Sequence, residues 1–260
     1  MKKCVLTVAI LLIAVSFVGA QQVNDSFSSM GGWRAGHGDW TIDSGRLVQS
    51  DSETGLARID RMAAQDGIYE LEFTIRYMGG GYESEEALAN GEYHAGFGIH
   101  VGVEDPALGR MSWGAGESYL LWLNLDTREE TRRNHPEHYG FRAQVYESVD
   151  NSTMTLARNS MVRQDPNLRR VTVDDYVSID LFTALRNMGV DVSIEDGRQF
   201  LTRDVPINIR VNTRTGEIGV LDPTAPIRFW FPVDPEILEG DYFSLRTNDL
   251  AASFNYFRVE

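Results

Sequence analysis

The amino-acid sequence predicts an all-β protein in which two antiparallel sheets pack face to face as a sandwich, or close on themselves as a barrel. Many short runs alternate apolar and polar residues, and Gly, Asn or Asp turns separate them. The chain has 260 residues, a length that suits one large β domain, and no segment rich in Pro or Ser divides it.

The clearest strand is IYELEFTIRYM, residues 68–78. It places Tyr69, Leu71 and Phe73 on one face and Glu70 and Glu72 on the other, because side chains alternate along a strand. The same alternation occurs in HAGFGIHVGV, SYLLWLNL and FRAQVYES, and the run PINIRVNTRTGEIGVLDP predicts a hairpin with Gly216 in its turn.

The run SIDLFTALRNMG predicts the one short helix of the chain. Phe182 and Leu185 follow Ile179 at helical spacing, and Gly189 is placed to end the helix. The same stretch could begin as a strand, because its first residues also alternate.

The chain ends with ASFNYFRV, in which apolar residues occur on both faces of a predicted strand. Phe254 and Tyr256 share one face, and Phe257 and Val259 share the other. This pattern is typical of a strand with neighbours on both sides, so we expect the terminal strand to lie inside a sheet.

The first 20 residues are expected to be a secretory signal peptide, and residues 21–260 a single β-sandwich domain. Lys2 and Lys3 precede an apolar run that ends in small residues, which predicts cleavage after Ala20 and export to the periplasm or outside the cell. Cys4 is the only cysteine, so the exported chain would contain neither a disulfide nor a thiolate metal site.

The chain is acidic, with a formal net charge of −14 at pH 7. Both lysines fall in the predicted leader, so every basic residue after it is Arg, apart from histidine. A charge of this sign repels phosphate backbones and anionic lipids, so we expect no nucleic-acid partner and no membrane insertion after cleavage.

Two stretches resemble the concanavalin A-like, or laminin G-like, jelly-roll domains of the lectin and glucanase superfamily. These are DSF...W...GDWTIDSGRLVQS, within residues 25–50, and FSLRTNDLAASFNYFRV, residues 243–259. The resemblance implies a two-sheet jelly roll whose first and last strands pair near the middle of one sheet, with saccharides bound on the concave sheet or at its rim.

The enzymes of this superfamily, the laminarinase-like glycoside hydrolases, carry acidic residues at alternate positions of one strand. Glu70 and Glu72 are the nearest candidates here, but Thr74 and Arg76 occupy the next outward positions. Because the remaining acid is missing, we interpret the two glutamates as ordinary outward residues, paired with Arg76 or with a neighbouring strand, and we expect no catalytic residue of this type.

Neither a metal nor a cofactor is predicted. The loop RNHPEHYG contains His135, Glu137 and His138, which are metal-ligand types, but a solvated loop is the expected state of so polar a segment. Asp105 and Asp222 lie in predicted turns and could donate oxygen atoms to a calcium ion. Calcium binding is the weaker alternative, because Asp is common in turns where its side chain bonds only the backbone.

The candidate binding surface is the outward face of two middle strands and their glycine-rich neighbour. Aromatic surface there lies beside planar hydrogen-bonding groups, a combination that binds sugars. The glycines beside His100 are expected to leave room for a ligand. The candidate ligand-binding residues are Trp122, Asn124, Asp126, His100, Arg142, Gln144 and Tyr146.

Three functions stay open at this point. The first is noncatalytic binding of a glycan or cell-envelope polymer, and the second is a structural or assembly role on another envelope protein. A glycoside hydrolase with unrecognised catalytic residues is the third. Trp122 and Tyr146 could instead pack beneath a covering loop or the predicted helix, which would leave no open groove.

Overall fold

A computed structural model describes residues 23–104, 106, 115–158, 175–187, 189–221 and 228–260. The predicted signal peptide, Asp105 and Asp222 lie outside the described residues. Within the described part, two eight-stranded antiparallel sheets account for the strands. No described helix is long and apolar enough to cross a membrane.

The strands in chain order are β1 Val23–Asp25, β2 Trp33–His37, β3 Trp40–Asp43, β4 Arg46–Gln49, β5 Ala57–Met62, β6 Ile68–Gly80, β7 His94–Val103, β8 Ser118–Asp126, β9 Gly140–Ser148, β10 Met154–Leu156, β11 Ser178–Asp180, β12 Val205–Asn212, β13 Glu217–Leu221, β14 Arg228–Pro232, β15 Tyr242–Asn248 and β16 Leu250–Val259. The helices are α1 Glu85–Ala89, α2 Glu129–Asn134, α3 Leu181–Asn187 and α4 Ile194–Leu201, and a short 3-10 helix spans Pro235–Leu238.

The first sheet has the order β14-β13-β12-β6-β16-β4-β3, and β1 also pairs with β16. The second sheet has the order β10-β9-β8-β7-β15-β5-β2, and β11 also pairs with β9. The expected fold class, an all-β, two-sheet antiparallel sandwich, is therefore confirmed. The predicted hairpin joins β12 to β13, with Gly216 at φ +65° in its turn.

The core between the sheets is rich in aromatic side chains. Tyr69, Leu71 and Phe73 of β6 are buried, as their alternation predicts. Phe257 packs edge-on against Trp33 at 5.0 Å between ring centroids and stacks on Phe73 at 6.1 Å. Aromatic contacts of this kind add to the free energy of burial, so one continuous cluster holds the two sheets together.

The terminal strand β16 lies between β6 and β4, as its apolar residues on both faces predict. The assignment of its faces was wrong. The pairing register of β16 with β6 shifts between Phe254 and Phe257, and both rings are fully buried in the core. A bulge inserts extra residues into one strand, so two side chains an odd number of positions apart can reach the same face.

The segment predicted as a strand or a helix contains both. β11 ends at Asp180, whose carboxylate accepts the backbone N–H and the hydroxyl of Thr183 and so starts α3. Gly189, at φ +84°, donates its N–H to the carbonyl of Arg186 at 2.9 Å. The described residues contain four short α-helices, so the expected single helix was an underestimate.

Candidate functional site

A cleft of about 510 Å³ opens on the outer face of the second sheet. Trp122 of β8 and Tyr146 of β9 lie on its floor, where the sheet alternation directs them outward from the core. The walls include Arg128, Glu137 and His138 from the connection between β8 and β9, and His94, Thr155 and Asn248 from strands of the same sheet.

Trp122 lies directly against the glycines of the neighbouring strand β7. A Cβ atom on Gly96 would stand 2.2 Å from Trp122 Cζ2, and one on Gly98 would stand 2.9 Å from Cε3. The glycines therefore accommodate the indole rather than a ligand, which corrects the expectation from the sequence. Trp122 is 8% exposed, so it offers the cleft a limited part of its surface.

Tyr146 packs beneath His138, and the two rings are nearly parallel, with centroids 6.1 Å apart. The Tyr146 hydroxyl lies 3.0 Å from His138 Nδ1, and Gln144 Nε2 lies 3.1 Å from the same atom. Burial lowers the pKa of His138 and raises the pKa of Tyr146. A loop, and not the helix after β11, therefore covers Tyr146, as one of the sequence alternatives holds.

Three planar side chains of the outer face bind backbone carbonyls of residues 137–139, here named the anchored segment, and of the three Asn124 lines the cleft whereas Arg142 and Gln144 do not. Gln144 Nε2 donates to the carbonyl of Glu137 at 2.9 Å, and Asn124 Nδ2 donates to that of His138 at 2.9 Å. Arg142 Nε donates to the carbonyl of Tyr139 at 2.6 Å. Asn124, Arg142 and Gln144 thus hold a wall of the cleft, although the sequence predicted direct ligand contact.

Asp126 lines the cleft, but its carboxylate oxygens are occupied. Oδ2 accepts from Arg128 Nη2 at 2.8 Å and from the Thr131 hydroxyl at 2.9 Å. Oδ1 accepts from the backbone N–H of Arg128 at 3.2 Å and from its Nε at 3.1 Å. These bonds raise the pKa of Arg128, and they make Asp126 a positioning residue for the start of α2.

His100 does not line the cleft. Its side chain is fully buried, and its ring nitrogens lie 3.0 Å from the Ser118 hydroxyl and 3.0 Å from Arg246 Nη1. Burial, reinforced by Arg246 and Arg58, holds the pKa of His100 well below its usual range. The correction to the sequence prediction has a plain cause: alternation gives the face of a sheet, but not whether other segments cover it.

The segments that wall the cleft were missed as a site by sequence reasoning. Glu137 and His138 drew attention only as possible metal ligands, and no signal marked His94, Thr155 or Asn248. No group of three or more His, Cys, Asp or Glu side chains among the described residues is arranged to hold a metal ion. The loop instead supplies polar groups to the cleft.

Glu70 and Glu72 lie on the first sheet, on the side of the sandwich away from the cleft. Arg210 Nε of β12 lies 3.8 Å from Glu70 Oε1, and Arg258 Nη1 of β16 lies 3.3 Å from Glu72 Oε2. The predicted pairing with a neighbouring strand is confirmed, whereas the alternative partner, Arg76, instead lies with its Nη2 2.9 Å from Asp204 Oδ2. Each glutamate belongs to an exposed cross-strand ion pair.

No family model matches the sequence, and no curated protein matches it. Among solved structures, the carbohydrate recognition domain of Emp47p is 14% identical, with a TM-score of 0.47 and 92% of each chain covered. The lectin from Bauhinia forficata in complex with GalNAc is 11% identical, with a TM-score of 0.42, and the match covers 93% of this chain and 97% of the lectin.

A third match is the CBM2 module of the evolved Dit of Lactobacillus casei BL23 phage J-1. It is 8% identical, with a TM-score of 0.49, and the match covers 93% of this chain and 96% of the module. Similarity at this level carries no conclusion about what this chain binds, because function resides in particular sites and not in the fold.

Proposed function

We propose that this chain is a noncatalytic glycan-binding module and that the cleft on the second sheet is its binding site. The observation that carries the proposal is the cleft itself, about 510 Å³ in volume, with Trp122 and Tyr146 on its floor and polar side chains on its walls. Binding sites for small molecules commonly enclose about 300–1,000 Å³ and combine apolar surface with a few directed polar groups.

The two kinds of lining group match the two kinds of surface that a sugar offers. The apolar C–H face of a sugar ring can pack on half-buried Leu156 and on the small part of Trp122 and Tyr146, each 8% exposed, that the cleft reaches. The sugar hydroxyls can donate to Glu137 and exchange hydrogen bonds with Asn248. The anchored segment holds Glu137 in place, so the wall is formed before a ligand arrives.

We further propose that the protein is exported and acts in the periplasm or outside the cell. The support is the N-terminal sequence, in which Lys2 and Lys3 precede an apolar run that ends at Gly19 and Ala20. A glycan or cell-envelope polymer is a ligand that such a compartment contains. Mass spectrometry of the exported protein tests this proposal, because cleavage after Ala20 would give a chain that begins at Gln21.

A glycan array with the wild-type protein and two variants tests the binding proposal. Leu156 of the edge strand β10 is half-buried, lines the cleft and is paired with Tyr146, so Leu156→Trp should block the cleft without disturbing the core between the sheets. Trp122→Ala should remove part of the floor, and Glu70→Ala on the other sheet is the control. Binding that survives both cleft variants, in proteins shown to be folded by their thermal melts, would contradict the proposal.

One observation favours docking onto another protein as a second candidate. β14 is an edge strand of the first sheet, and its Trp230 is 39% exposed. Exposed edge strands with an accessible aromatic residue can pair with a partner chain. If Trp230→Ala prevents co-purification of an envelope protein while Leu156→Trp does not, this second function is favoured over glycan binding.

A further inference from the structure

The charged side chains at the cleft differ in whether they form ion pairs with oppositely charged side chains. Arg128 is the only arginine among the described residues that line it. Its guanidinium donates to Asp126 through Nη2 and Nε, and Nη1 lies 3.3 Å from Glu83 Oε1. A guanidinium held by two carboxylates has little attraction left for an anionic ligand, so the cleft offers no available arginine from its described lining.

Among the described residues, the charged side chains within 4 Å of the Glu137 carboxylate are imidazoles. Arg142 attracts Glu137 from further away, but its guanidinium donates to the backbone carbonyls of Tyr139 and Ser178 and forms no ion pair with Glu137. Its Oε1 lies 3.7 Å from His135 Nδ1 and 3.8 Å from His138 Nε2. Imidazoles carry little charge at pH 8, and burial lowers the pKa of His138 further. The Glu137 side chain is 26% exposed, so it presents a negative charge to the cleft.

Hydrogen bonds to the backbone of Glu137 restrict movement of its carboxylate away from the cleft. Gln144 and the Ser178 hydroxyl both donate to its carbonyl, at 2.9 and 2.6 Å. A second carboxylate, Asp249, lies beside the cleft, where its Oδ2 accepts from Asn248 Nδ2 at 2.7 Å. Arg58 and Arg246 are on the same sheet, but both are 1% exposed and neither lines the cleft.

We propose that the cleft selects glycans that carry neither carboxylate nor sulfate groups, and that Glu137 is the residue that imposes this selection. The inference rests on the proposed glycan-binding function and names its ligand class. Neutral sugars donate hydroxyl hydrogens to a carboxylate, which forms a charge-assisted bond. A uronate or sulfate in the same place would bring a like charge within several ångströms, which lowers affinity about tenfold in a partly solvated site.

The probe is an array at pH 8 that pairs neutral hexose oligomers with uronic acid and O-sulfated oligomers of the same linkage. The expected result is binding confined to neutral members, at least about tenfold tighter than their anionic counterparts. Leu156→Trp should remove this binding. Glu137→Gln should weaken neutral binding, because the charge-assisted bond is lost, and should weaken anionic binding less or strengthen it, so that the affinity ratio of neutral to anionic members falls to about threefold or less. Glu70→Gln should leave this ratio unchanged.

The results separate three claims: glycan binding by the cleft, selection of neutral glycans, and the role of Glu137 in that selection. Anionic members that bind as tightly as neutral ones, in a manner abolished by Leu156→Trp, would overturn the selection and leave the glycan-binding function standing. An unchanged ratio in Glu137→Gln would overturn the role of this residue. If no member of the array binds, the glycan-binding function itself fails. Raising the salt concentration should reduce the difference in affinity of the wild-type protein for neutral and anionic oligomers, because screening weakens charge repulsion.

Discussion

The indole of Trp122 lies so close to Gly96 that no other residue fits at position 96 without displacement of the ring. A Cβ atom there would stand 2.2 Å from Trp122 Cζ2 and 2.3 Å from Cε2. Gly96 and Trp122 are neighbours on paired strands, where Gly96 is opposite Asn124 and Gly98 is opposite Trp122. The position of the Trp122 indole on the floor of the cleft therefore requires glycine at position 96 of β7.

Gly96→Ala should destabilise the protein by about 1–3 kcal/mol and weaken ligand binding, because the indole must leave its position on β7. The matched control is Gly79→Ala in β6, since a Cβ atom at Gly79 has nothing within 4 Å. Chemical denaturation measures the free energy of unfolding for both variants. Equal stabilities of Gly96→Ala and Gly79→Ala would show that the indole does not need this space.

The strands could be predicted from the sequence because alternation is a local property of the chain. Tyr69, Leu71 and Phe73 are buried together because every second side chain of a strand points the same way. The bulge in β16 could not be predicted in this way, because it is an irregularity of pairing with β6. A shift in register leaves no mark in the composition of a strand.

The site was predictable only in part, for a related physical reason. The face that carries Trp122 and Tyr146 follows from alternation, and the structure places both at the cleft. Whether Gln144 meets a ligand or a backbone carbonyl depends on a loop that folds back from residues 137–139. The covering of His100 depends likewise on packing around the strand that carries it.

Gln144→Ala should loosen the anchored segment more than it destabilises the sandwich. It removes the donor to the Glu137 carbonyl and a partner of His138, at a cost of about 1–2 kcal/mol. Amide hydrogen exchange should accelerate about tenfold or more in residues 135–139. The hairpin between β12 and β13 is the internal control. Equal protection of residues 135–139 in both proteins would argue against the anchoring role.

Because of the bulge in β16, we expect alanine substitutions at two neighbouring aromatic residues to differ in their cost to stability. Phe257 is fully buried against Trp33, Phe73 and Phe243, so Phe257→Ala should cost about 3–5 kcal/mol. Tyr256 is only partly buried, so Tyr256→Ala should cost about 1 kcal/mol. Thermal and chemical unfolding measure both. The reverse order of costs would mean that β16 pairs without the register shift.

The pH dependence of stability should report two histidines: His100, which is fully buried, and His138, whose side chain is 29% exposed. Burial lowers the pKa of both His138 and His100 in the folded state, whereas both regain an ordinary value near 6.5 when the chain unfolds. Above about pH 6.5 neither state binds these protons, and stability is fully present. As the pH falls below about 6.5, the unfolded state takes up protons that the folded state excludes, so stability decreases.

The number of protons that the histidines take up on unfolding limits how much unfolding free energy is lost. Each histidine contributes a slope of at most about 1.4 kcal/mol per pH unit between the unfolded and folded pKa values. His138→Gln removes one proton from the balance, so its unfolding free energy should fall less steeply than that of the wild type between about pH 6.5 and 5. Urea denaturation across this range measures both slopes. Identical slopes would mean that His138 takes up its proton as readily in the folded protein as in the unfolded chain.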